Sequence, residues 1–210
     1  MKAVKLFLPK LPDFKDLLSL NKIIYILVFS DFILISSYGL IAPFFAIFLT
    51  KNIIGGTLVV VGLSDSIYLA TKSLIQIPLG ILIDKTKGEK IDFWFLFFGS
   101  LLMSLSLFLY VIAKTPLHIY IISLLYGIGS GAAYPAWTGI FTRNMVGDKE
   151  SFAWSLSATL WQLGSAAAAL IGGVLAESLG FANLFIVVGA LSLIGTFILF
   201  FIYDKLATKQ

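Results

Sequence analysis

The chain has 210 residues, of which 59% are hydrophobic and 12% charged, with a formal net charge of +4, no cysteine and a mean hydropathy of +1.00. That balance excludes an ordinary soluble enzyme, and no stretch is polar enough to form a separate soluble domain. The lack of cysteine excludes disulfides, thiol chemistry and thiolate metal sites.

Residues 1–22 form a basic segment in which Leu11, Phe14, Leu17 and Leu18 recur at helical spacing among Lys10, Lys15 and Lys22. The pattern fits a short helix lying at the cytoplasmic membrane interface, and equally a disordered basic tail. Six apolar runs follow, at 23–49, 57–83, 93–113, 117–141, 151–176 and 181–203. Each exceeds the ~20 residues that a helix needs to cross a bilayer. The first is too long for a cleaved signal peptide, lacks a small-residue cleavage pattern and contains Asp31 and Pro43. The chain is therefore expected to be one six-span membrane domain over 23–203 with a tail at 204–210. Met1, with its own basic segment, suggests a complete reading frame.

An even number of crossings puts both termini on one side, and the basic residues agree. Lys2, Lys5, Lys10, Lys15, Lys22, Lys85, Lys87, Lys90, Arg143, Lys149, Lys205 and Lys209 share that side, against Lys51 and Lys114 on the other. The positive-inside rule makes this face cytoplasmic in a multi-pass protein of the cell membrane. The positive charge then implies attraction to anionic lipid headgroups rather than to nucleic acid. The loops are short, so consecutive helices must be antiparallel neighbours.

Polar residues within spans are costly in hydrocarbon and mark cavities or partners. Asp65, Tyr68, Lys72 and Gln76 lie on one face of the second span at i, i+3, i+7 and i+11. Asp31 and Tyr38 are seven apart in the first span. At 1.5 Å per residue, Asp31 and Lys72 lie ~12 and ~16 Å from the cytoplasmic side, depths compatible with an ion pair. Two readings remain open: a substrate or proton site, or a fixed structural pair. In the fourth span Tyr126, Ser130, Tyr134 and Trp137 share a face suited either to stacking on a ligand or to aromatic packing. Ser155, Thr159 and Gln162 give the fifth span a milder polar face.

Gly164, Ala168 and Gly172, four apart, read as a helix-packing stripe, as do Gly127 and Gly131. Spans one and four occupy corresponding places in two three-helix units, and Pro43 and Pro135 suggest a broken helix in each. No nucleotide-binding loop, cofactor motif or metal-ligand cluster is present. His118 and Ser130, twelve apart on one helix, cannot meet as a hydrolytic pair.

The segment Gln76-Ile77-Pro78-Leu79-Gly80-Ile81-Leu82-Ile83-Asp84-Lys85, followed by Gly88 and Lys90, resembles the loop motif between the second and third helices of the major facilitator superfamily. Lys87 stands as an insertion before Gly88. The order Gly127-Ile128-Gly129-Ser130-Gly131, Pro135, Arg143, Gly164, Gly172-Gly173 and Gly180-Phe181 is similar to the fourth to sixth helices of that family, with Ala168-Ala169 where its antiporter motif has Gly-Pro. The resemblance implies an all-α membrane fold, one six-helix half built from two three-helix inverted repeats. It also implies a half-size secondary transporter, not an enzyme, that moves a small solute by alternating access, with a proton or cation as coupling ion.

Half a pathway needs a partner, so a homodimer or a separately encoded second half is expected. The substrate-lining candidates are Asp31, Tyr38, Tyr68, Lys72, Gln76, Tyr126, Tyr134 and Trp137, and the gating candidates are Gly80, Asp84 and Lys85. A nontransporting membrane scaffold or regulatory subunit is the alternative reading.

Overall fold

The computed structural model describes residues 21–85, 88–145 and 150–206. The expected interfacial helix before residue 21, the Lys87 insertion and the last four residues of the tail lie outside them. All regular structure among the described residues is helical.

Helix α1 (Lys22–Gly39) starts where the Asn21 side chain accepts a hydrogen bond from the Ile23 N–H at 3.1 Å, satisfying one otherwise orphaned amide. A 3₁₀ turn at Ala42–Phe44, opened by Pro43, then leads into α2 (Phe45–Asn52). α3 (Leu58–Lys85), α4 (Glu89–Leu109) and α5 (Pro116–Arg143) follow. α6 (Glu150–Ile198) and the short α7 (Phe200–Tyr203) complete the chain. Five helical stretches are long and apolar enough to cross a membrane, α1 and α2 counting together and α6 with α7.

At 1.5 Å per residue a straight α6 of 49 residues would run ~74 Å, more than twice a bilayer core. Gly180 prevents that: its φ of 76° and ψ of 163° are not helical. Before it, Gly164 meets Phe32 and Ser36, Gly172 meets Leu40 and Gly173 meets Phe44, so residues 150–179 run parallel to α1. After it, Phe185 packs on Phe48 at 4.8 Å and Gly195 accepts a hydrogen bond from Ser30 at 2.7 Å, so residues 181–198 run back. A Cβ at Gly180 would meet nothing within 4 Å, so only its backbone angles oppose a side chain. Gly180→Ala should cost about 1–3 kcal/mol. A melting temperature in detergent equal to that of the parent would contradict this.

Two differences from the sequence reading concern helix ends. Residues 84–92 were expected as a cytoplasmic loop, yet α4 begins at Glu89 and takes Glu89 and Asp92 into its first turn. Acidic residues suit that position, where unpaired amides and the helix dipole favour negative charge. The expected matching pair of broken helices also fails. The first span is interrupted at Pro43, but α5 continues through Pro135 and α3 through Pro78. Close packing lets a membrane helix absorb one missing hydrogen bond.

Two apolar clusters close the bundle at its ends. Ile24, Leu27, Phe93, Phe97, Ile140, Phe141 and Ile202 fill the end at which residues 22 and 203 lie. Leu40, Phe48, Tyr110, Ile119, Leu184 and Phe185 fill the opposite end. Between them the buried Ser104 hydroxyl bonds to Ser192 at 2.7 Å, Thr196 at 3.1 Å and the Ser100 carbonyl at 2.9 Å, linking α4 to the returning half of α6.

Candidate functional site

Glycines let the helix backbones approach closely enough to hold functional side chains over a central space. A Cβ on Gly127 would lie 2.8 Å from the Tyr68 carbonyl, and one on Gly131 2.9 Å from that of Lys72. The small residues of α5 thus seat α3 at the two positions whose side chains carry its polar face. Gly129 and Gly99 meet similarly and draw α4 against α5.

A cavity of about 880 Å³ opens between α1, α3, α5 and the first half of α6. Of the residues expected from sequence, Asp31, Tyr38, Tyr68, Lys72, Tyr126, Tyr134 and Trp137 line it. Gln76 does not. Eleven residues beyond Asp65, it lies ~16 Å further along α3 and lines a second pocket with Gly80, Asp84, Pro135 and Arg143. Helical spacing keeps such residues on one face but does not limit the depth of the space they face.

Tyr126 stands between two other tyrosines, its ring centroid 5.9 Å from Tyr38 in a stacked pair and 5.6 Å from Tyr68 in a tilted one. Lower in the cavity Trp137 stacks on Phe141 at 4.6 Å and meets Trp154 at 5.8 Å. The Trp137 indole nitrogen is buried without a hydrogen-bond partner.

Asp31 and Lys72 share the cavity but form no ion pair within 4.0 Å. The Lys72 ammonium is directed at aromatic faces instead, 5.0 Å from the Tyr134 ring centroid and 5.9 Å from that of Tyr68. Ring quadrupoles can hold a cation at such distances. Compatible depths therefore did not translate into contact: Tyr68, one turn away on α3, and Tyr134 of α5 hold the ammonium instead.

Sequence reasoning missed part of the lining. Asp65, which shares the polar face of Tyr68 and Lys72 but was not among the lining candidates, belongs to it, as do Trp154, Ser157 and Trp161 of α6. The polar face expected on the fifth span, Ser155, Thr159 and Gln162, is exposed elsewhere and lines neither space. The usable signal was aromatic: Trp154 and Trp161 are seven apart, with Ser157 and Ala158 between them on the same face.

The bundle end at which α1 begins has its own charged group. Arg143 pairs with Asp92 and, at 3.5 Å, with Glu89, both almost fully buried. Asn144 donates to Glu89 at 3.0 Å and accepts from Asn21 at 3.1 Å, so the ends of α1, α4 and α5 are joined. The expected gating residues are arranged differently. Gly80 lies against Pro135, while Asp84 and Lys85 are exposed and Arg143 is engaged by the other two carboxylates.

The sequence matches the family model described as Major Facilitator Superfamily over residues 27–210. No curated protein matches it.

Proposed function

Because the chain belongs to the major facilitator superfamily, we propose that it is one six-span half of a secondary transporter that moves a small solute by alternating access. In this reading α6 supplies the fifth and sixth spans on either side of Gly180, and both termini are cytoplasmic. The membrane-spanning unit pairs with a second half, a second copy of the chain being the simplest, because a pathway of this kind runs between two bundles.

One observation carries the proposal. Only 6% of the apolar window of α3 is buried, against 33–50% for the other spanning helices, yet α3 presents Asp65 and Lys72 along the cavity. Charged groups at membrane depth require protein or water around them, not acyl chains. A facing bundle would enclose that open side and turn a groove into a passage. Asp31, Tyr38, Tyr68, Lys72, Tyr126, Tyr134 and Trp137 would line the solute's path, while Gly80, Asp84 and Lys85, with the Arg143 group, would govern the cytoplasmic mouth.

The chain has no cysteine, so an introduced one is an unambiguous probe. Ala158→Cys, on the cavity wall, should react with a membrane-impermeant maleimide from either face of reconstituted vesicles, in proportions that shift when the substrate is added. Leu69→Cys, on the exposed side of α3, should crosslink in native membranes. Labelling from one face alone, with no crosslinked species, would favour a nontransporting scaffold.

A further inference from the structure

We infer that the cavity takes a bulky apolar organic cation. This rests on the transporter reading of the same site and specifies its substrate class. The formal charges on the lining are Asp31, Asp65 and Lys72, two negative and one positive. Among the described residues neither carboxylate has an ion-pair or hydrogen-bond partner. The ammonium, in contrast, is already accommodated by the Tyr68 and Tyr134 rings.

The charges are also ordered along the cavity. Counting 1.5 Å per residue from the cytoplasmic helix ends, Asp31 lies ~14 Å in, Lys72 ~20 Å and Asp65 ~30 Å. An anion drawn to Lys72 would sit between two carboxylates, whereas a cation near either end meets one carboxylate and stays clear of Lys72. The remaining lining is mainly apolar and rich in aromatic rings, with Tyr38 and Tyr126 stacked near one end and Trp137 against Trp154 near the other. Lys72 on its tyrosines demonstrates that these walls accept a positive charge against a ring face. An apolar body bearing one positive charge matches both the net charge and the surface.

The test compares two probes of the same shape and opposite charge, tetraphenylphosphonium and tetraphenylborate, binding to the full chain in lipid nanodiscs, with empty discs giving the partition background. Saturable binding of the phosphonium, undisturbed by the borate, is expected. Asp31→Asn or Asp65→Asn, whichever removes the carboxylate that meets the bound charge, should weaken it about tenfold, Asp31→Glu or Asp65→Glu at that same position should restore most of the loss, and Lys72→Met should tighten it by removing a positive charge from the cavity. Each variant is checked for an unchanged elution profile and melting temperature, so lost binding is not mistaken for lost fold.

Equal binding of the two probes, indifference to both carboxylate variants, or loss of phosphonium binding in Lys72→Met would overturn the inference. The last result would indicate an anionic or zwitterionic ligand. Ala158→Cys accessibility reads transport independently: if it still shifts between faces with another solute while the phosphonium fails to bind, only the substrate class falls.

Discussion

Gly172→Leu is expected to leave no stable bundle, with the protein recovered as aggregate rather than as a single species in detergent. The reason is backbone contact. A Cβ at position 172 would overlap the Leu40 carbonyl oxygen and lie 2.7 Å from its carbon and 2.8 Å from the Leu40 Cα, none of which can rotate away. At Gly164 a Cβ would overlap the Ser36 hydroxyl, and Ala168 sits 3.3 Å from the position of a Cβ on Gly39. The expected packing stripe therefore lies along α1, holding residues 150–179 against it where lipid offers no hydrophobic drive. Forcing the helices apart should cost upwards of about 3 kcal/mol. Gly62→Ala is the contrasting case: nothing lies within 4 Å of its Cβ, so it should be neutral or slightly stabilising. If both variants melt at the parent's temperature, the close approach of α1 and α6 is wrong.

Arg143→Ala should be nearly as damaging. Asp92 is 1% exposed and pairs with Arg143, so removing that cation leaves a buried carboxylate without its counter-charge at the foot of α4. Breaking a buried pair from one side typically costs 3–5 kcal/mol; the Arg143 side chain is 28% exposed, which places the loss near the lower end, about 3 kcal/mol. Adding Asp92→Asn to Arg143→Ala should recover part of the stability by removing the stranded charge. A double variant less stable than Arg143→Ala alone would refute this account, since the two sites would then not be coupled through charge. Arg143→Lys should lie between parent and Arg143→Ala, because a single ammonium cannot span both carboxylates as a planar guanidinium does.

Much of the architecture was legible because apolar length is a direct consequence of the bilayer. Helix ends were less so. Glu89 and Asp92 read as loop residues because an isolated carboxylate avoids the membrane, whereas Arg143, more than fifty residues later, pairs with both at the start of a helix. Proline was equally ambiguous: Pro43 accompanies a change of helix type, while Pro135 passes through α5 without interrupting it. The site was partly readable from the face shared by Asp65, Tyr68 and Lys72, yet the same spacing carried Gln76 past the cavity floor. The contribution of Trp154 and Trp161 was hidden because an aromatic on a membrane helix has many uses; the contact with Trp137 and Phe141 of α5 singles out Trp154, and Trp161 stands out only by lining the cavity.

The hydroxyls of Ser30, Ser104, Ser192 and Thr196 have a consequence for how the bundle assembles. Helices that are greasy on every side gain little from one azimuth over another, so burial alone does not tell α4 or the last span which way to turn. A bond from Ser30 to the Gly195 carbonyl and from Ser104 to Ser192 and Thr196 exists at only one rotational setting of each helix. These few small alcohols act as the bundle's keyway, fixing the angle at which the cavity-facing residues come to point at one another.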